Sequence, residues 1–304
     1  MQHRKRAGVL AILISTLGFC VYPILGKVVF AGGAALATVL FIRFGAAATV
    51  FWGVILWKSG RPRLHSKTWF ALLAMGGIGY AGMAGLYLGS VRFIPASIAS
   101  LIFYSFPLLV TVISIVTRQE IASGLKILGL TSSSLGLMLV IGLNFGGVNL
   151  TGALIAFSAA VVHSLNVVIG NRMLKVSDPL LSTAVITTGA AITMGIIGLA
   201  SGFTWQLSAP TWLAIAGITL FSSIVAMSSF YKGLQLVGAS TASILSMLEP
   251  VMTGTLAYIF LGERLNLTQL MGGALVILGS GIVAWMPVHE KPFGQSYKHS
   301  KYRS

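Results

Sequence analysis

Few residues in this chain can do chemistry, and nearly all of them lie inside long apolar runs. Glu249 is the eleventh residue of the run over 239–261. A lone charge near a bilayer centre is costly, so this carboxyl group must be protonated, hydrated or paired. One chemistry is a buried ion pair, with Arg43 or Lys27 as the candidate cation, since both also fall inside apolar runs. The other is a proton-coupling or substrate-amine site. His163 lies near the middle of a second run, with Asn166 one turn away. The imidazole is either an interhelical hydrogen-bonding partner or, with Asn166, a wall of a pocket that senses pH.

Tyrosine supplies the third chemistry. Tyr22, Tyr80, Tyr104 and Tyr231 carry hydroxyls that hydrocarbon cannot satisfy. Together they describe an aromatic, hydrogen-bonding cavity, suited to a zwitterion with an apolar side chain or to an aromatic amine. Ser97, Ser100, Tyr104, Pro107, Thr111 and Ser114 share one helical face, and Ser240, Ser243, Met247, Pro250 and Gly254 share another. The serines on these faces serve either close helix packing or a pathway. Pro107 and Pro250 free carbonyls from the helix ladder and predict matched bends beside a cavity or gate.

Other chemistries are excluded. No nucleophile has a placed base, no zinc-ligand spacing occurs, and no Walker motif is present. Cys20 is the only cysteine, so a disulfide within the chain or a cysteine metal cluster is impossible. Gly77-Ile78-Gly79-Tyr80-Ala81-Gly82 matches a dinucleotide fingerprint, but it sits within an apolar run with no preceding strand. Close helix packing accounts for it better. The chain is expected to have no catalytic residues, no metal and no cofactor.

The elements that hold these residues follow from composition. The chain is 56% hydrophobic and 8% charged, far from the roughly 25% charged of soluble domains. Ten runs are long enough to cross a bilayer, at 8–30, 34–57, 69–91, 95–117, 125–143, 151–173, 180–200, 211–231, 239–261 and 268–287. Arg4, Lys5 and Arg6 before the first run, and Ala35-Leu36-Ala37 after it, imitate a signal peptide. The run is too long for that, so an uncleaved first helix is expected. The net charge of +15 is spread between runs, not gathered on one face, which argues against nucleic acid. With the N-terminus inside, 16 of the 20 basic residues fall on inner segments, including Arg61, Arg63, Lys126 and Lys232. Both termini are therefore expected in the cytoplasm.

The chain also repeats itself. Pro95–Pro107 reads PASIASLIFYSFP and Gly238–Pro250 reads GASTASILSMLEP, in register at an offset of 143. The same offset pairs Glu120 with Glu263, Gly129 with Gly272 and Gly136 with Gly279. Earlier in the chain the offset is 144, pairing Gly26 with Gly170 and Tyr87 with Tyr231. Five runs separate the copies, so the second is turned over relative to the first, a transporter signature. The match is not complete: Glu249 pairs with Phe106, His163 with Phe19, and Asn166 with Tyr22. Glu120 and Glu263 follow runs near short loops, where they are expected to cap or orient the next helix.

Leu248-Glu249-Pro250, then Leu261-Gly262-Glu263-Arg264 and the Gly272/Gly279 helix, resemble the EamA module of the drug/metabolite transporter superfamily. Phe106-Pro107, Glu120, Gly129 and Gly136 form a weaker first copy, and Arg43 matches an arginine usual in that family. The resemblance covers roughly 8–287. It implies ten helices around a central cavity, with the fifth and tenth at the periphery. Related proteins export amino acids and other metabolites, move drugs or exchange sugar derivatives.

The expected protein is thus an all-α integral membrane chain of ten transmembrane helices in two inverted five-helix repeats, 8–143 and 151–287, with a cytoplasmic tail at 288–304. Its expected function is secondary active export of small metabolites by alternating access. Amino acids, aromatic or apolar ones included, or related solutes are the leading substrates. The alternatives are a drug or organic-cation exporter, or a phosphorylated-sugar or nucleotide-sugar exchanger. In a different class stand a channel and a membrane-embedded enzyme. The substrate-binding candidates are Tyr22, Tyr80, Tyr104, His163, Asn166, Tyr231, Met247 and Glu249. Pro107 and Pro250 are the hinge candidates, and Glu249, Arg43 and Lys27 the ion-pair or coupling candidates. The expected partners are a small-molecule substrate and membrane lipid, with no nucleic acid, in a monomer or homodimer. The expected location is a bacterial inner (plasma) membrane.

Overall fold

In lipid every backbone polar group needs a partner within the protein, and a helix supplies it inside one segment. The computed structural model describes residues 2–59, 64–121, 123–142, 149–261 and 266–286. Among these, ten helices are long and apolar enough to cross a membrane: Gln2–Ala31, Leu36–Lys58, Ser66–Ser90, Ile98–Val116, Gly124–Ile141, Leu150–Met173, Pro179–Ser201, Ala209–Val237, Ala239–Ile259 and Leu267–Trp285. Arg61, Arg63, Glu263, Arg264, the Ser97 side chain and the tail 288–304 lie outside the described residues.

Polar termini decide where these helices stop. Asp178 accepts hydrogen bonds from the backbone N–H groups of Leu180 and Leu181 and so starts the seventh span. Asn266 and Gln269 form a capping box at the start of the tenth. The first span begins at Gln2, a turn and a half before the apolar run expected at residue 8. Lys5 explains the extension. Its ammonium donates to the carbonyls of Val283 and Met286, placing a cation at the end of the tenth span where free carbonyls collect. The eighth span likewise continues past residue 231 to Val237, and Gly238 ends it with a φ of 83° that favours glycine.

The inversion is visible where the fifth and tenth spans cross. Gly129 opposes Gly279 and Gly136 opposes Gly272, so the two helices run antiparallel. A Cβ at Gly136 would stand 2.5 Å from the Gly272 carbonyl oxygen. Only glycine permits so close an approach. Between these glycines, Ser132 donates to the Leu275 carbonyl at 3.1 Å and Ser133 to that of Val276 at 3.5 Å, each across a separation of 143 residues. Those are repeat mates. Mates touch only where they straddle the pseudo-two-fold axis, so the axis passes between these two spans.

The repeats also share their irregularities. The third span contains a π-helical segment at Met75–Tyr80 and the eighth another at Thr219–Ala226, starting at repeat-related positions. Both the fourth and the ninth spans are broken into half-helices. The first pair is Ala96–Phe103 and Phe106–Val116; the second is Ala239–Ser246 and Leu248–Leu261. Pro107 and Pro250 lie just past these breaks, where their missing N–H groups cost least. π-bulges and broken spans gather at functional sites and at transporter midplanes.

Candidate functional site

The two breaks deliver the central polar residues. In the ninth span Ser246 ends one half-helix and Leu248 opens the next, which places Glu249 in its first turn. There the unsatisfied N–H groups favour a carboxylate. In the fourth span Tyr104 is the residue at the break, with φ −71° and ψ 8°. Its hydroxyl lies beside the Glu249 carboxyl group. The two discontinuities therefore meet through one phenol–carboxyl contact. Tyr87 and Cys20 are within electrostatic reach of Glu249.

Aromatic rings wall this contact. Phe103 lies 5.8 Å from Tyr104 and 5.6 Å from Phe106, between ring centroids. His163 meets Phe106 edge-on at 4.7 Å and Phe103 at 5.4 Å. Its Nδ1 is buried and has no hydrogen-bond partner within the protein. Tyr22, Tyr87, Phe103, Tyr104, His163 and Glu249 are all half-buried, although each lies within a membrane-crossing helix.

Burial changes along the ninth span. Ala239 to Leu245 are buried without exception, whereas Glu249 to Gly254 are half-buried. In the fourth span Phe106, Pro107, Val110, Thr111 and Ser114 form a buried face, with Leu108 and Val112 exposed opposite it, and Ile98 and Ala99 are buried at the other end. Tyr231 and Tyr80 meet hydroxyl to hydroxyl at 3.3 Å, both buried. Tyr80 also meets His163 edge-on at 6.4 Å.

Other candidate residues stand apart from Glu249. Arg43 donates from Nε to Ser223 Oγ at 2.9 Å and from Nη2 to Ser222 Oγ at 3.1 Å. Its guanidinium stacks over Tyr22 at 4.8 Å and Phe44 at 4.7 Å. Asn166 is buried and donates to the Met75 carbonyl at 3.1 Å, at the start of the first π-helical segment. Met247 is fully buried against the fifth and tenth spans. Lys27 lies exposed in the last turns of the first span. The glycines at 76, 77 and 79 pack tightly on Ile186, Thr193 and Asn166, as close helix packing requires. Cα-level crowding of that kind leaves no room for a phosphate.

Sequence reasoning passed over Tyr87 and Cys20 as neighbours of Glu249, and over Ser222 and Ser223 as partners of Arg43. Consecutive serines opposite an arginine carry a usable signal only once the π-helical segment is known to turn both inward. Glu120 is expected to cap or orient the next helix, and Lys126 lies in that helix. Glu120 holds Lys126 at 2.6 Å and accepts from the Ser240 backbone N–H at 3.0 Å, so the helix it caps is the ninth-span half-helix, far along the chain. Among the described residues no group of three His, Cys, Asp or Glu could hold a metal ion.

Comparisons with known proteins agree with this architecture. A solved crystal structure superposes with a TM-score of 0.80 at 18% identity, spanning 94% of this chain and 99% of that one, which shows a shared fold. The uncharacterized transporter YyaM of Bacillus subtilis (strain 168) is 26% identical over 258 residues, 79% of this chain and 83% of its own length. The threonine/homoserine exporter RhtA of Escherichia coli (strain K12) is 27% identical over 261 residues, 82% of this chain and 86% of its own. The model of the EamA-like transporter family matches twice, over residues 6–142 and 150–285, one match for each inverted half. With nearly all of its length in these two matches, the chain belongs to the EamA-like transporter family.

Proposed function

We propose that this transporter exports amino acids or closely related solutes from a bacterial cytoplasm, by alternating access between its two repeats. The observation that carries the reading is the contact between Tyr104 and Glu249 at the meeting point of two broken helices. A carboxylate there recognises an ammonium group, and the rings of Phe103, Phe106 and His163 accept an apolar side chain. The similarity to an exporter named for threonine and homoserine supports the same class. On this reading residues 8–143 and 151–287 are the two moving units, both termini are cytoplasmic, and the protein works as a monomer or homodimer.

On the same reading the protein is drawn in an outward-facing state. The Tyr80–Tyr231 contact closes the cytoplasmic side, and substrate leaves through the half-buried outer parts of the fourth and ninth spans. Return to the inward-facing state requires the two repeats to rock about the pseudo-two-fold axis.

Counterflow in proteoliposomes tests the reading. Vesicles loaded with unlabelled threonine, homoserine or phenylalanine should accumulate the labelled amino acid saturably. Absence of counterflow with every amino acid overturns it. A second reading, export of organic cations, draws on the same anionic, aromatic-walled contact. It predicts counterflow of aromatic amines in place of amino acids.

A further inference from the structure

The half-helix Ala239–Ser246 opens the ninth span without a capping side chain of its own. Its N-cap residue is Gly238, at a φ of 83° that favours glycine. A Cβ there would stand 2.8 Å from Glu120 Oε1, so the side chains that usually cap a helix do not fit. The cap comes instead from the other repeat. Glu120 Oε1 accepts from the Ser240 N–H at 3.0 Å, while Oε2 pairs with Lys126 Nζ at 2.6 Å. A carboxylate at that helix start is favoured by its free N–H groups.

Glu120 reaches so far because the fourth span ends in an uncommon turn. Arg118 has a φ of 56°, in the left-handed region that a residue with a Cβ rarely adopts. The N–H groups of Gln119 and Glu120 both donate to the Ser114 carbonyl, at 2.8 and 3.2 Å. This is the helix ending that glycine usually makes. Strain of that kind persists where the surrounding structure fixes it, as at switch regions. The turn directs two consecutive side chains onto the second repeat. Glu120 holds the ninth span, and Gln119 Oε1 accepts from Asn171 Nδ2 at 3.4 Å in the last turn of the sixth.

Successive spans alternate in direction, so the fourth ends and the ninth begins on the membrane face where the chain starts. Both contacts join the first repeat to the second on that face. Contacts along the fifth–tenth axis need not part when the repeats rock, but contacts that close one face must. The junction is built to release. Lys126 belongs to the same repeat as Glu120, so the carboxylate keeps a cation when Ser240 withdraws. The Ser114 and Ser240 hydroxyls are buried in the closed junction with no hydrogen-bond partner within the protein, which disfavours closure. We propose that Gln119 and Glu120 form a latch between the repeats, made when this face is closed and broken when it opens. Resting on the alternating-access reading above, this assigns the contact that each cycle must break.

The test is a reversible crosslink. In a background with Cys20 replaced, Gln119→Cys/Asn171→Cys sets two thiols across the latch, and Ser132→Cys/Leu275→Cys sets two across the axis as a control. Oxidation should join positions 119 and 171, as peptide mapping reads, and abolish counterflow of threonine, homoserine or phenylalanine. Dithiothreitol should restore it. The axial crosslink should leave most of the counterflow. Counterflow that persists through an intact 119–171 crosslink would overturn the latch, as would failure of that crosslink to form or equal loss through both crosslinks. Glu120→Ala supplies a second measurement that needs no crosslink. Losing one hydrogen bond should raise thiol labelling of Leu234→Cys about three- to tenfold below the melting temperature. A cap that only stabilises would lower the melting temperature and leave labelling unchanged, which also overturns the latch. In each of these cases counterflow by wild type still stands. No counterflow by wild type with any amino acid would overturn the functional reading itself.

Discussion

Tyr231 donates its phenolic hydrogen to the Tyr80 hydroxyl at 3.3 Å, joining the eighth span to the third. Tyr80 is the last residue of one π-helical segment, and Tyr231 lies a turn beyond the end of the other. Both hydroxyls are buried, and a hydrogen bond of this kind contributes about 0.5–1.5 kcal/mol. The double variant Tyr80→Phe/Tyr231→Phe removes both polar groups together and leaves no orphan. The closed side should then open up to about tenfold more often. Thiol labelling of Leu234→Cys, a buried neighbour, in a background with Cys20 replaced, reads that opening. Unchanged labelling would remove Tyr80 and Tyr231 from the gate.

Glu120 predicts a stability effect. Its carboxylate accepts from the Ser240 N–H and pairs with Lys126, so it caps the half-helix Ala239–Ser246 from outside. Glu120→Ala should cost about 0.5–2 kcal/mol, the usual range for a lost cap. Glu120→Gln keeps an acceptor and should recover part of that. Thermal melts in detergent measure both. Equal melting temperatures for wild type and Glu120→Ala would show that the cap carries no stability.

Glu249→Gln should lower counterflow at least tenfold, since hydrogen bonds to charged groups are worth about 1.5–3 kcal/mol. Tyr104→Phe should lower it less, because the carboxylate remains. Normal transport by the glutamine variant would sink the site.

The fifth–tenth crossing predicts where glycine is obligatory. Gly136→Val puts side-chain atoms into the Gly272 carbonyl and the Val276 backbone and should cost about 1–3 kcal/mol or more. Gly53→Ala has open space around it and should be neutral or stabilise by about 0.4–1 kcal/mol. A melting temperature unaffected by Gly136→Val would contradict the crossing.

Much of the fold was legible because lipid imposes a strong local rule. Spans such as Leu36–Lys58 and Leu150–Met173 fall within a residue or two of the apolar runs. Where a terminus moved, as at Lys5, a partner distant in sequence was responsible. The prolines at 107 and 250 marked both helix breaks in advance, since proline removes its N–H wherever it stands. The π-helical segments had no such mark. They arise from close packing, as where Gly76 presses on Ile186, and packing is not written in any one stretch of sequence.

Sequence alone determined the ten spans, the two inverted halves and the acidic residue near mid-membrane, because each depends on local hydropathy or on repeated residues. Only the tertiary structure decided that Glu249 meets Tyr104, that Arg43 meets Ser222 and Ser223, and that Glu120 caps a helix 120 residues away. The physical reason is that a membrane helix is apolar on every face. Hydropathy then says that a polar residue must find a partner, but the crossing of helices says which one.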